Sequence, residues 1–194
     1  CMFMFDKQVD DHHYHSTRAW ANVFVGSFFF MAIGLAAAFF LGLQYAAEAG
    51  WATTIKRVIE ATAWFLPWGL SFMMLMFILG QLGVHHIYAW MDKDMVAADP
   101  MIQAKMGYFG IFWWVRTILY MAAWLWFTMK LRKNSLEADN TTSHEHHWKN
   151  VKLGAWFMVI FAVTSSTSAW DWLLSIDVHW FSTLYGWYIF SGMW

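Results

Sequence analysis

The chain has 194 residues, of which 60% are hydrophobic and only 13% charged, and its mean hydropathy is +0.39. A soluble domain carries about 25% charged residues, so this composition indicates a membrane protein. The net charge of -1 and the absence of a basic stripe argue against a nucleic-acid partner. Cys1 is the only cysteine, which excludes a disulfide framework, a cysteine-bound iron-sulfur cluster and a thiolate zinc site.

Four stretches of the chain reach the length of about 20 apolar residues that a membrane-crossing helix needs. We therefore predict an all-α, polytopic membrane protein that forms a single transmembrane domain over residues 1–194. The full spans are predicted at about 19–47, 61–88, 108–129 and 153–174. A fifth span begins near 183 and is cut at 194, so the chain is expected to be part of a longer membrane subunit.

Lysine and arginine residues in the predicted loops set the expected orientation, because cytoplasmic loops carry more of them. More of these residues lie on the side opposite the N-terminus, including Lys56, Arg57, Lys130, Arg132 and Lys133. We expect that side to be cytoplasmic. The N-terminus and the SIDVHWFST loop (175–183) are then periplasmic in a bacterial inner membrane.

Ionisable side chains within spans cost about 2.5 to 3.5 kcal/mol each on insertion scales and usually face a bundle interior or a functional site. They collect here toward the predicted outer side. Helical spacing predicts three polar or aromatic faces at that depth. These faces are Gln81, His85, Tyr88 and Asp92; Tyr108, Phe112, Arg116 and Tyr120; and Thr164, Ser168, Asp171 and Ser175.

Two interpretations of this polar group are open. In the structural one, Arg116 pairs with Asp171 or another carboxylate to hold the bundle, and the hydroxyls of 164–168 bond to their own helix. In the functional one, several costly groups at one depth form a site, with Asp177 and His179 just beyond the fourth span, where water reaches them.

The other histidine-rich motif is weaker. HEHH (144–147) has metal-binding residue types, but it lies in a polar stretch that favours a solvated, flexible loop. Only the second predicted span contains histidine, so a facing pair of deep histidines for a b-type haem is absent. We predict that this chain holds no haem, metal or iron-sulfur centre of its own.

Three pieces carry a family resemblance: FFFMAIGLAAAFFLGLQYAAEAGWATTIKRVIEA, YFGIFWWVRTILYMAAWLWF and SAWDWLLSIDVHWFSTLYGWYIFSG. In this order and spacing they closely resemble the ActF family, the NrfD-like integral membrane subunits of bacterial alternative complex III. The resemblance runs from His12 to Trp194, and DWLLSIDVHWFST is its most specific part. The chain departs from the family at Val178, where relatives more often have proline, and it ends where the family continues through further helices.

The resemblance implies an NrfD-like transmembrane helix bundle within a quinol:cytochrome c oxidoreductase. Such an assembly oxidises menaquinol or ubiquinol and passes electrons to a cytochrome c or an oxidase. The expected partners are an ActC-like membrane subunit, an iron-sulfur subunit, c-type cytochrome subunits, a terminal oxidase and lipids. Haem c and iron-sulfur clusters would belong to those partners, which leaves menaquinone or another quinone as the cofactor that this chain could meet.

Three functions remain open at this point. In a quinone-handling subunit, proton transfer is assigned to Asp171, Asp177 and His179, and quinone or polar-cluster contacts to His85, Arg116 and Tyr120. The alternative is a structural or proton-conducting subunit whose ActC-like sister binds the quinol. A secondary transporter is the most distant alternative, because it would need inverted repeats and broken helices at mid-membrane, and no repeat is evident.

Overall fold

The computed structural model describes residues 11–141 and 144–193, with side chains from residue 18 onward in the first range. These residues form eight α-helices and no strand, which confirms the predicted all-α class. The helices are α1 (Asp11–Ala46), α2 (Lys56–Ala63), α3 (Leu66–Gln81), α4 (Lys93–Ala98), α5 (Pro100–Phe109), α6 (Ile111–Asp139), α7 (Glu145–Trp172) and α8 (Tyr185–Met193). Short 3-10 turns lie at Gly50–Thr54, Ala89–Met91 and Leu174–Ile176.

Within the described residues, three segments are long and apolar enough to cross a membrane: Arg18–Ala46, Lys56–Gln81 and Glu145–Ile176. They correspond to the first, second and fourth predicted spans. The third predicted span falls on the end of α5 and the first two thirds of α6. Although α6 has 29 residues, Arg116, several tryptophans and a charged C-terminal part lower its hydropathy. Membrane crossing by α6 therefore stays a prediction. The fifth span also stays a prediction, and α8 lies within it.

The second predicted span is not one continuous helix to residue 88. It bends between α2 and α3, just before Pro67, which occupies the first turn of α3 where its missing N–H costs no hydrogen bond. The helix then ends at Gln81. Gly83 adopts a φ of +73°. Its N–H donates to the Gly80 carbonyl and the Val84 N–H donates to the Leu79 carbonyl, each with an N···O distance of 3.0 Å.

This left-handed glycine cap is a Schellman motif, which ends a helix by satisfying its last carbonyls. The predicted helical face of Gln81, His85, Tyr88 and Asp92 is therefore wrong. His85 lies in the irregular segment after α3, and Tyr88 and Asp92 flank the 3-10 turn that follows.

The face predicted for the third span is also divided. Gly110, with φ -64° and ψ -133°, separates α5 from α6, so Tyr108 lies on a different helix from Phe112, Arg116 and Tyr120. Upstream, Asp99 caps α5 by accepting from the N–H of Met101, and Pro100 follows as the first helical residue.

The polar stretch predicted as a loop around HEHH is mostly helical. α6 continues to Asp139, and α7 begins at Glu145, so His144 is the N-cap residue of α7 and the other two histidines lie in its first turn. Ion pairs four residues apart, Lys133 with Glu137 and Glu145 with Lys149, support these polar helix ends. Hydropathy did not show this, because the stretch is helical without being apolar.

The core of the bundle lies around α7, which packs most extensively against α1 and α6 and also contacts α8. Its centre is aromatic: Trp113, Trp124, Trp172, Phe77 and Tyr88 are at most 1% exposed. At the α1 and α7 crossing, Gly42 faces Gly154 so closely that the two backbones nearly touch. Contacts of α6 with both α5 and α7 join these helices near one end of the bundle. This is the end predicted to face outward, and it is called the outer end below.

Candidate functional site

An ion pair joins α6 to α7 near the outer end of the bundle. Asp171, in the last turn of α7, is fully buried. The Nε and Nη2 atoms of Arg116 each donate to a different carboxylate oxygen of Asp171 at 2.8 Å, and the Tyr120 hydroxyl donates to Oδ2 at 3.1 Å. A bidentate arginine-carboxylate pair is both strong and geometrically specific. The predicted pairing of Arg116 with Asp171 is confirmed.

Aromatic rings enclose the outer face of Arg116. Its guanidinium carbon lies 3.9 Å from the ring centroid of Tyr108 and 4.3 Å from that of Phe112. Nη2 also donates to the Tyr108 carbonyl at 3.2 Å, whereas Nη1 is buried without a hydrogen bond to the described residues. Cation-π contacts of this kind add about 0.5 to 2 kcal/mol when water is excluded. The charge is thus held between Asp171 and an aromatic wall.

The C-terminal carbonyls of α7, which have no partner within the helix, are capped by side chains. The Asp171 carbonyl accepts from Trp113 Nε1 at 2.7 Å and from Ser175 Oγ at 2.5 Å, and the Trp172 carbonyl accepts from the Tyr88 hydroxyl at 2.6 Å. Sequence reasoning missed Trp113 as a site residue and placed Tyr88 on the wrong element. These contacts fix the backbone that presents the Asp171 carboxylate.

The hydroxyls of residues 164–168 bond mainly to their own helix, as the structural interpretation predicted. Thr164 donates to the Ile160 carbonyl at 2.8 Å, and Ser168 donates to the Ser165 carbonyl at 3.0 Å. Thr164 also accepts from Trp124 Nε1 at 2.9 Å. Among the described residues, neither Thr164 nor Ser168 forms a hydrogen bond with the Asp171 carboxylate. A proton relay through Asp171 stays a prediction that would need water.

Asp177 and His179 lie in the exposed loop after α7, and their side chains do not pair with each other. Asp177 Oδ1 accepts from the backbone N–H of His179 at 3.0 Å. His179 Nε2 instead lies 2.7 Å from Oδ2 of Asp99, the N-cap residue of α5. The Met101 N–H and, less strongly, His179 hold the pKa of Asp99 below its usual value. The contact with Asp99 thereby connects the loop to the start of α5.

His85 is separate from the Arg116 cluster. It is 4% exposed, and its Nε2 lies 2.9 Å from the carbonyl of Met76, so Nε2 must carry the proton. Nδ1 accepts a long hydrogen bond of 3.5 Å from the Ile87 N–H. Gly80 leaves space for the ring, because a Cβ there would lie 2.8 Å from His85 Cε1. Of the three residues predicted to contact quinone, only Arg116 and Tyr120 come together.

The protonation of His85 predicts a pH dependence of stability. Burial, which is the largest effect, and nearby His86 lower the pKa of His85, although the Met76 carbonyl opposes them. The folded protein therefore binds fewer protons here than the unfolded chain does, so stability is retained above about pH 6.5 and falls below it. We expect His85→Gln to flatten this slope by up to about 1.4 kcal/mol per pH unit. Thermal unfolding at several pH values measures it.

The matched control for that measurement is His144→Gln, because His144 is exposed at the other end of the bundle. This variant should keep the wild-type slope. An unchanged slope in His85→Gln would contradict the assignment of the acid sensitivity to His85.

A cavity of about 250 Å³ opens beside the ion pair, between α5, the end of α7 and the following loop. The Tyr108 ring lines this cavity and also contacts Arg116. Four polar groups border it besides Tyr108. Asp177 is exposed, and Trp170 Nε1 is buried without a hydrogen bond to the described residues. Lys105 Nζ donates to the Val178 carbonyl at 2.6 Å, and Ser175 Oγ donates to the Asp171 carbonyl. The remaining walls are largely apolar and aromatic, including Phe109, Trp180 and Phe181. We call this space the outer cavity.

The described residues contain no group of three or more His, Cys, Asp or Glu side chains placed to hold a metal ion. In particular, His146 of the HEHH motif has Glu137 as its nearest carboxylate, with Nδ1 3.5 Å from Oε2.

No protein-family model matches the chain, and no curated protein matches it significantly. The class of protein is therefore defined by the fold and the candidate site of this chain. In the part of the chain that the structure describes, the protein is all-helical and has three helical segments long and apolar enough to cross a membrane. It also has a buried arginine-carboxylate pair beside an aromatic cavity.

Proposed function

We propose that this chain is a membrane subunit of a respiratory quinol:cytochrome c oxidoreductase of the alternative complex III type. In this proposal the outer cavity receives the quinol ring. One observation carries the proposal: an aromatic cavity at the predicted outer end of the bundle is bordered by a carboxylate and by a buried donor, Trp170 Nε1, that has no hydrogen-bond partner among the described residues. The segment DWLLSIDVHWFST, which carries the NrfD-like resemblance, includes six of the ten residues that line this cavity, Asp177 among them, whereas Trp170 and Tyr108 lie outside the segment.

The chemistry of quinol oxidation fits these groups. A quinol loses two electrons and two protons when its two O–H bonds break to give the quinone. In the proposal, Trp170 Nε1–H donates to one ring oxygen, and Asp177 accepts the proton released from the other. The proton of the first ring oxygen passes to solvent water at the exposed side of the cavity. Tyr108 and Trp180 offer aromatic surfaces against the ring. The electrons pass to the iron-sulfur and c-type haem cofactors of partner subunits.

Proton release is proposed to follow the exposed surface of the loop. Asp177 and His179 are both exposed, and His179 pairs with Asp99. Water therefore reaches each group, and a proton accepted at Asp177 can leave to the outer solution. By resemblance the membrane is a bacterial inner membrane, with this loop on its periplasmic side and an ActC-like subunit, the cofactor-bearing subunits and lipids as partners.

A second candidate function is a structural or proton-conducting subunit that binds no quinone. The observation that favours it is the bidentate contact of fully buried Asp171 with Arg116. This contact suits a clamp between α6 and α7, and it leaves redox chemistry to the sister subunit.

Quinol turnover by the assembled complex distinguishes the two candidates. Asp177→Asn keeps the acceptor for the His179 N–H but removes the base, so we expect turnover to fall about 100-fold, the lower range for loss of a general base. Trp170→Phe keeps the ring but removes the donor, and should raise the KM for quinol about tenfold. Steady-state kinetics with a water-soluble quinol analogue measure both.

Trp187→Phe is the matched control, because Trp187 is 69% exposed on α8 and lies outside the outer cavity. It should behave as the wild type. Wild-type kinetics in both cavity variants, with normal assembly on size exclusion, would refute the cavity proposal and favour the structural candidate.

The proposed orientation has its own test. Thr183 and Asn140 are exposed and lie at opposite ends of the bundle. In a Cys1→Ser background, a membrane-impermeant thiol reagent applied to intact cells should label Thr183→Cys several-fold faster than Asn140→Cys, because the lysine and arginine bias places residue 140 inside. Lysed cells should label both sites. Faster labelling of Asn140→Cys in intact cells would reverse the orientation.

A further inference from the structure

A second cavity, of about 170 Å³, lies at the end of the bundle opposite the ion pair. We call it the inner cavity. It is bounded by the end of α1, the Gly50–Thr54 turn, the start of α2, the end of α6 and the start of α7. Much of its wall is apolar, including Leu41, Ala49, Ala52, Ile59 and Ala138. None of the activity proposed above uses it.

Two opposite charges border the inner cavity without an ion-pair partner among the described residues: the Glu48 carboxylate and the Lys56 ammonium. The neighbouring carboxylates are already paired, Asp139 with Arg57 and Glu145 with Lys149. Glu48 has a φ of +49°, in the left-handed region that a residue with a side chain rarely adopts. This conformation ends α1 with a Schellman cap, in which the Ala49 N–H donates to the Gln44 carbonyl at 3.0 Å. The cap places the Glu48 side chain at the edge of the cavity.

Histidine side chains add hydrogen-bonding groups to the same cavity. His146 and His147, in the first turn of α7, both line it. His146 Nδ1 is buried and makes no hydrogen bond with the described residues, although Glu137 Oε2 lies 3.5 Å away. The His147 ring packs on Tyr45, with 6.2 Å between centroids. The last two residues of the HEHH motif therefore line a cavity that also has a carboxylate and an ammonium at its border.

The inner cavity lies at the level where lipid headgroups would be found. One candidate membrane span ends at Ala46 and the next begins at Lys56, and the cavity is built on the turn between them. Trp51 in that turn is 61% exposed, as is common for tryptophan at the membrane interface. A ligand entering from the membrane would meet the apolar wall and the two charges at once.

We propose that the inner cavity binds the headgroup of a membrane phosphatidylethanolamine. The lipid phosphate accepts hydrogen bonds from Lys56 and the two histidines, and its primary ammonium donates to Glu48. The glycerol and first methylene groups lie against the apolar wall. Phosphatidylglycerol lacks a cation for Glu48, and the methylated ammonium of phosphatidylcholine has no N–H to donate. One unpaired charge of each sign therefore selects a zwitterionic lipid with a free amine.

The test uses the purified, delipidated complex and measures lipid binding by native mass spectrometry and by the rise in Tm. Phosphatidylethanolamine should bind about tenfold more tightly than phosphatidylcholine or phosphatidylglycerol, the order expected for one charge-assisted hydrogen bond. Lys56→Gln should reduce this binding about tenfold. Glu48→Gln should abolish the preference over phosphatidylglycerol, because the ammonium loses its partner and the repulsion of a second anion is removed.

Lys152→Gln is the matched control, since Lys152 is an exposed lysine near the same end of the bundle that does not line the cavity. It should bind like the wild type. Three results would each overturn the proposal. These are equal binding of the three lipids, binding of phosphatidylethanolamine unaffected by both cavity variants, and equally tight binding of soluble phosphoethanolamine, which would assign the cavity to a free phosphate compound.

Discussion

Asp171→Asn is expected to lower the free energy of unfolding by about 3 kcal/mol and to reduce the yield of assembled protein. The reason is that Arg116 loses the carboxylate that balances its charge. Arg116 remains charged, its side chain is only 12% exposed, and asparagine offers one acceptor in place of a bidentate carboxylate. Breaking a buried pair by removing one partner typically costs about 3 to 5 kcal/mol. Unfolding in denaturant, followed by tryptophan fluorescence, measures the loss.

The double variant identifies the cause of that loss. With Arg116→Gln added to Asp171→Asn, two neutral amides face each other and no charge is buried, so we expect at least half of the lost stability to return. A double-mutant cycle then reports the coupling between the two side chains. Asp94→Asn, which changes an exposed carboxylate on α4, is the matched control and should change stability by less than about 0.5 kcal/mol.

The same variants test the prediction that Asp171 transfers protons. A relay requires Asp171→Asn to assemble normally while quinol turnover or proton release falls. A clamp requires poor assembly that Arg116→Gln partly rescues. The described contacts favour the clamp, because both carboxylate oxygens accept hydrogen bonds from Arg116. Normal stability, turnover and proton yield in Asp171→Asn would contradict both roles.

The contact between Arg116 and Asp171 could be predicted because the sequence shows how far each residue lies from the end of its apolar span. Each residue lies near the outer end of its apolar stretch, and an unpaired charge at that depth is costly, so few partners were available. The same reasoning failed for His85. It assumed that an apolar run continues as a helix, whereas Gly83 ends α3 with a left-handed cap, a local backbone feature that hydropathy does not report.

The rest of the candidate site depends on contacts between residues distant in sequence. His179 contacts Asp99, and Trp113 caps the Asp171 carbonyl. No spacing rule links these pairs, because the turns at Gly83 and Gly110 decide which elements meet. The outer and inner cavities were not predicted for the same reason. An aromatic or polar residue in one span gives no sign of the loop that will pack against it.

The close crossing of α1 and α7 was also missed, although it shapes the whole bundle. A Cβ built on Gly154 would lie 2.6 Å from the Gly42 carbonyl oxygen and 3.3 Å from the Ala46 nitrogen. Both are backbone atoms, so no side-chain rotation can relieve the contact. Small residues allow such close helix approach in membranes, where packing replaces the hydrophobic driving force between helices.

Gly154→Ala is therefore expected to push α1 away from α7 and to lower the free energy of unfolding by about 1 to 3 kcal/mol, the range for overpacking a close contact. Gly154→Val should have a larger effect and prevent assembly.

The matched control is Gly26→Ala, also within a candidate span, because a Cβ at Gly26 would meet no atom within 4 Å. Alanine there should be neutral or slightly stabilising, since it favours the helix. Unfolding in detergent measures all three variants. Equal stability of Gly154→Ala and Gly26→Ala would show that the helices can separate at no cost, and the close crossing would then contribute nothing to the fold.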